Sequence, residues 1–85
     1  MKEFEYTVKV EIGLHARPAG MLVKEAKKYS SRITLFANGK ESEATRLMSL
    51  MAMCIKCGTT VRVCAEGEDE ELCAEELKTF FEKNL

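Results

Sequence analysis

Gly13-Leu14-His15-Ala16-Arg17-Pro18-Ala19 contains the only histidine and the only proline of an 85-residue chain, and it marks where a period-two pattern gives way to a helical one. Proline fixes φ and lacks an N–H, so it suits the first turn of a helix, where that donor would go unused. The residue before a proline is biased away from helical φ/ψ, which places regular helix close to Pro18. The unpaired N–H groups of that turn, backed by the positive end of the helix dipole, then face the region of His15. Neutral imidazole offers a nucleophilic ring nitrogen near physiological pH. The Arg17 guanidinium is a permanent cation whose planar fork suits a phosphate. A lone histidine ahead of a helix is commonly a cap or a surface residue. Here Arg17, Pro18 and the helix start each suit an anion independently, and the stretch reads as a nucleophile beside a small anion site.

Upstream, residues 4–10 alternate: Phe4, Tyr6, Val8 and Val10 share one face, while Glu5, Thr7 and Lys9 share the other. That is the signature of a half-buried strand. Glu11 to Leu14, with Gly13 inside, forms the loop that delivers His15 to the helix. Downstream, a helix from about Ala16 to Tyr29 carries an inward stripe of Ala19, Leu22, Val23 and Ala26. Lys24, Glu25, Lys27 and Lys28 fall outside the stripe and are expected in solvent. Met21 is also off the stripe, and Gly20 beside it is a poor choice for a helix interior. The pair suggests a place where another protein lies close to the backbone.

Ser30 and Ser31 break the helix, and Arg32 to Ala37 alternates again with Ile33, Leu35 and Ala37 inward. Asn38-Gly39 signals a tight hairpin, because a type I′ turn needs positive φ at both central residues. The returning strand, Lys40 to Ala44, is short and polar, as an edge should be. Thr45 is placed to cap a helix from about Arg46 to Met53. A last strand, Thr60 to Ala65, turns Val61, Val63 and Ala65 inward and leaves Cys64 on the solvent side. The acidic run 66–71 then opposes the positive end of a final helix, whose apolar face is Cys73, Ala74, Leu77, Phe80 and Phe81. The order β-α-β-β-α-β-α predicts an α+β domain: a four-stranded antiparallel sheet with three helices on one face.

Thirteen basic and fourteen acidic residues leave a net charge near zero, so nothing at the level of the whole chain argues for nucleic acid. No apolar run is long enough to span a bilayer, and membrane insertion is not expected. Residues 1–85 are expected to form a single domain, in the cytoplasm because the acidic, alternating start lacks an export signal. In that compartment the four cysteines should be free thiols. Cys54-Ile55-Lys56-Cys57 invites a redox or zinc reading. It follows a helix rather than preceding one, which disfavours the thiolate, and Cys64 and Cys73 lack a second paired spacing. Neither a metal nor a cofactor is expected; a thiol or zinc module is the rival to exclude.

The seven-residue run at 13–19, in its distance from the N-terminus and in its element order, closely resembles the active-site segment of HPr, the histidine-containing phosphocarrier family of the phosphoenolpyruvate-dependent sugar phosphotransferase system. The resemblance extends over essentially the whole chain and implies an open-faced β-sandwich. It implies that His15 Nδ1 takes a phosphoryl group from phosphorylated enzyme I and passes it to enzyme IIA domains of sugar permeases. Arg17 would neutralise the group, with the phosphate-binding turn at Ala16, Arg17 and Pro18. Such a chain is a phosphorylated intermediate rather than an independent catalyst, expected as a monomer, with regulatory proteins as further partners.

Gly20, Met21, Leu47, Met48 and Met51 match the family's shared docking surface, and Lys24, Lys27 and Arg46 would give it a positive rim suited to an acidic partner. Met53 is assigned to the core. One position departs from the pattern. Some family members carry at position 46 a serine phosphorylated by a dedicated kinase, and this chain has Arg46, which cannot accept that phosphate. An HPr paralogue with a mainly regulatory role, in a nitrogen-related branch or in transcriptional control, is the alternative.

Overall fold

The computed structural model describes residues 1–85. Its elements are β1 (Lys2–Thr7), α1 (Ala16–Ala26), β2 (Arg32–Ala37), β3 (Lys40–Glu43), α2 (Leu47–Ala52), β4 (Thr60–Glu66) and α3 (Glu70–Asn84). The expected order is present, and the four strands form one antiparallel sheet in the order β1-β4-β2-β3. Alternation decides which face is covered. Ile33, Leu35 and Ala37 of β2 and Val61, Val63 and Ala65 of β4 are all buried under the helices. Leu22, Leu50, Leu77 and Phe81 supply the helical side of the core. Phe81 anchors α3 to the sheet, meeting Phe4 at 5.8 Å and Tyr6 at 5.7 Å, both edge to face.

The other face is open, and Cys64 corrects the expectation made for it. Strand parity does put it on this face, yet it is only 8% exposed. Its cross-strand neighbours are Glu3 and Thr34, and its thiol donates to Glu3 Oε2 at 3.5 Å. Nearby the Arg62 guanidinium lies 4.4 Å above the Phe36 ring, so an open sheet face still finds partners for its side chains.

Several boundaries differ from the sequence reading. β1 ends at Thr7, because the Lys9 and Val10 N–H groups turn to the Leu85 carbonyl; Val10, assigned to the inner face, is exposed. α1 begins at Ala16 as expected but ends at Ala26 rather than Tyr29, because beyond Lys27 the hydrogen bonds shift from the i−4 to the i−3 carbonyl at Lys28 and Tyr29. Glu25 is not free in solvent: its two oxygens accept from Lys28 Nζ and the Tyr29 hydroxyl. Thr45 does not cap α2. Arg46 holds the N-cap position without a side-chain bond to the helix, and its Nε pairs instead with Glu43 at 3.4 Å.

Two long-range contacts, neither visible in local patterning, tie these elements down. Asp69, just ahead of α3, accepts from the Ser30 N–H, the Ser31 N–H and the Ser31 hydroxyl, joining the end of α1 to the start of α3. These bonds, the Ser31 hydroxyl first and the Ser30 N–H next, hold the Asp69 carboxyl below the usual carboxylate range. At the other end of the molecule, Gly13 has φ +78 and sits against the backbone of Ile55 and Lys56, where a Cβ would lie 2.6 Å from the Ile55 carbonyl oxygen.

Gly13→Ala should therefore lower unfolding free energy by about 2 to 4 kcal/mol, combining left-handed strain with an immovable backbone neighbour. Urea denaturation reads this directly; a variant matching wild type would show that the close seat is unnecessary. The unfolded chain binds a proton at Asp69 more readily than the folded one. The contribution of Asp69 is thus present above the ordinary pKa of about 3.9 and is lost as pH falls through the lower folded value. Asp69→Asn should destabilise at pH 7, with the gap to wild type closing in acid, whereas a gap independent of pH would contradict this.

Candidate functional site

Gly13 and Leu14 fix where His15 stands. The Leu14 N–H donates to the Ile55 carbonyl at 2.9 Å and its side chain is buried, so the chain leaves the core at one defined point. His15 follows as the N-cap of α1, with extended φ −111 and ψ −173. Its carbonyl accepts from the Ala19 N–H at 2.9 Å and so opens the helix, while its side chain makes no capping bond. Imidazole, Ala16 and Arg17 are all exposed. The N–H groups of Ala16 and Arg17 have no acceptor within the chain, and no acidic residue lies in the first turn. A histidine ring, a guanidinium two residues on and two free amides at the positive end of an eleven-residue helix thus share one exposed corner.

Pro18 has another task. It is buried and has no N–H to give, so its part is to shape the turn and seal its inner side. Ala19 and Leu22 continue that inner side with no measurable exposure.

The apolar residues singled out on the helices divide as expected. Met53 is buried, while Met21, Leu47, Met51 and above all Met48, at 79% exposure, lie open. α1 packs against α2, so these residues belong to adjoining helices. Gly20 is half-buried, and a Cβ there would meet no atom within 4 Å. The glycine is therefore not required by packing within the chain. Lys24 and Lys27 are exposed and unpaired, whereas Arg46 shares Glu43 with Arg32. Sequence reasoning overlooked Ile12, which is 71% exposed in the loop leading to His15. Its signal was an isolated aliphatic residue in a loop, claimed by neither strand nor helix periodicity.

The cysteines do not assemble. Cys54 and Cys57 are exposed, Cys64 and Cys73 are buried, and all four are free thiols. Burial pushes the Cys73 thiol up to about 11 and, with the Glu3 hydrogen bond, raises Cys64. Nowhere are three His, Cys, Asp or Glu side chains grouped so as to hold a metal ion. No helix is long and apolar enough to cross a membrane.

The comparisons agree with this geometry. Residues 2–83 match the family model described as the PTS HPr component phosphorylation site. The chain is 42% identical over 78 residues to the phosphocarrier protein HPr of Mycoplasma capricolum, covering 92% of this chain and 88% of that one. It is 40% identical to the HPr-like protein Crh of Halalkalibacterium halodurans, covering 98% and 99% of the two chains. It also superimposes on the crystal structure of HPr from Thermoanaerobacter tengcongensis with a TM-score of 0.92 at 37% identity, covering 98% of this chain and 93% of that one. With the fold, an exposed histidine at a helix start and a family match across nearly its whole length, the chain belongs to the HPr family of phosphocarrier proteins of the phosphotransferase system.

Proposed function

We propose that this chain, acting as one domain over residues 1–85 in the cytoplasm, carries a phosphoryl group on His15. It takes the group from phosphorylated enzyme I and delivers it to enzyme IIA domains of sugar permeases. The observation that carries the reading is the uncapped, exposed imidazole at the head of α1 beside the free amides of Ala16 and Arg17.

The chemistry asks little of the protein beyond position and charge. As the lone pair of His15 Nδ1 forms the N–P bond, the bond from phosphorus to the donor breaks and its electron pair stays with the donor. Charge on the three phosphoryl oxygens is met by the Arg17 guanidinium, by the Ala16 and Arg17 N–H groups and by the helix dipole. Delivery is the same step reversed, with the acceptor as nucleophile. An exposed helix end suits this role because it stabilises the phosphate without enclosing it, so that the group remains transferable. Met21, Leu47, Met48 and Met51 form the surface on which both partners land in turn. Unbranched, polarisable methionines adapt to more than one partner. Lys24 and Lys27 supply the positive rim.

A regulatory role is the second reading, favoured by the likeness to Crh, the catabolite repression HPr of Bacillus subtilis, at 32% identity over 99% of this chain. Partner identity separates the two: a carrier exchanges phosphate with enzyme I and enzyme IIA, whereas a regulator is read by another protein.

Incubation with phosphoenolpyruvate, enzyme I and magnesium should place one acid-labile phosphate on the wild-type chain and none on His15→Ala. Arg17→Ala should slow acceptance by on the order of 10- to 100-fold, in line with removal of one transition-state donor from an open site. Met48→Ala should raise KM for enzyme I by up to about tenfold with stability unchanged, since the side chain touches solvent rather than core. Labelling of His15→Ala to the wild-type extent would refute the assignment.

A further inference from the structure

Four successive carbonyls, from the last residue of the short helix α2 onward, are each held by a donor from elsewhere in the fold. Lys40 Nζ donates to the Ala52 carbonyl at 3.2 Å. Asn38 Nδ2 donates to the Met53 carbonyl at 3.1 Å and to the Cys54 carbonyl at 3.2 Å. The Leu14 N–H donates to the Ile55 carbonyl at 2.9 Å. The first three tie the segment to the β2–β3 hairpin; the fourth ties it to the loop that ends in His15.

This segment cannot hold its own shape. α2 has six residues, too few for a stable helix in isolation, and the Met53 and Cys54 N–H groups that follow it reach back only to the i−3 carbonyl. Cys54 beyond it has φ +55, a left-handed conformation that glycine takes without cost and a cysteine does not. Ile55 is buried directly afterwards, so its carbonyl is where the preceding turn puts it.

The choice of residue at position 38 points the same way. Asn38 and Gly39, with φ +54 and +74, form the hairpin turn, and Asp or Gly at position 38 would serve that turn as well. Only asparagine also supplies two side-chain N–H donors, and both are used on α2's end.

We infer that Asn38 is a positioning residue for phosphoryl transfer, holding the 53–55 backbone from which Leu14 is suspended and so setting where His15 stands. This rests on the carrier reading of His15. Asn38 never touches the phosphate; it acts through Ile55 and Leu14.

The test uses the full chain with Asn38→Gly and Asn38→Asp, both compatible with the turn. Ser31→Ala, at the opposite end of β2, serves as a control for general destabilisation. Amide hydrogen exchange at Leu14 should speed up by about fivefold in both Asn38 variants, the equivalent of losing one ordinary hydrogen bond. The hairpin amides should be unchanged. The rate of His15 phosphorylation by enzyme I at saturating enzyme I should also fall, because a displaced 53–55 backbone moves His15 from its productive position. Asn38→Asp should lose at least as much as Asn38→Gly, because a carboxylate repels the carbonyls it would face. Ser31→Ala should leave Leu14 exchange and the saturating rate near wild type. Unchanged Leu14 exchange, faster exchange with an unchanged phosphorylation rate, or equal losses in Ser31→Ala would each overturn the inference. A wild-type chain that enzyme I does not phosphorylate would refute the carrier reading instead, and Leu14 exchange would still decide whether Asn38 positions the loop.

Discussion

The hydrogen bond from the Leu14 N–H to the Ile55 carbonyl, with Gly13 pressed against the same stretch of backbone, is the constraint on which the molecule turns. It joins the loop leaving β1 to the loop entering β4, and these two strands are neighbours in the sheet. One fixed crossing therefore decides where α1 begins and which of its residues faces out. A side chain at position 13 has no room to exist there, and the left-handed backbone makes glycine the one residue without penalty. The core follows from that crossing, because Leu14, Ala19, Leu22 and Ala26 can join it only if α1 starts at this point and at this angle.

Function uses what the crossing leaves exposed. A helix start normally spends its free N–H groups on a capping side chain, typically Ser, Thr, Asp or Asn. Here the N-cap is histidine, which makes no such bond, and two amides are left without an acceptor in the chain. That omission costs helix stability locally, by about 1 kcal/mol on the scale of a lost cap. Burial of Ala19, Leu22 and Ala26 in the core offsets it. α2 shows the same economy of means: uncapped at Arg46, it is held at its far end by Asn38 and Lys40, and its apolar face divides between a buried Leu50 and an open Met48.

Much of this was legible in the chain, for reasons particular to certain residues. β2 and β4 alternate cleanly because one face of each is covered, so Ile33, Leu35, Val61 and Val63 announce their own burial. Asn38-Gly39 announces a turn because few other pairs tolerate its φ values. The exposure of Met48 and Met51 was legible because the expected helix 46–53 carried three methionines, more than so short an element can bury. What local pattern cannot carry is a partner distant in sequence. Val10 continued the alternation of β1, but its N–H goes to Leu85. Cys64 had the parity of a solvated residue, but it is buried between its strand neighbours with its thiol on Glu3. Thr45 had the chemistry of a cap, yet the chain turns so that Arg46 occupies the position. Asp69, read only as one charge in an acidic run, proves to be the clasp on Ser30 and Ser31.

The central claim is that the amides heading α1 receive the phosphate that His15 carries. It is tested most directly by comparing ¹H–¹⁵N spectra of the chain before and after phosphorylation by enzyme I. The expected result is that the Ala16 and Arg17 amide protons move furthest downfield, as they gain a charged acceptor, while the amides of β2 and α3 stay in place. Amide shifts centred elsewhere, with Ala16 and Arg17 unmoved, would contradict it.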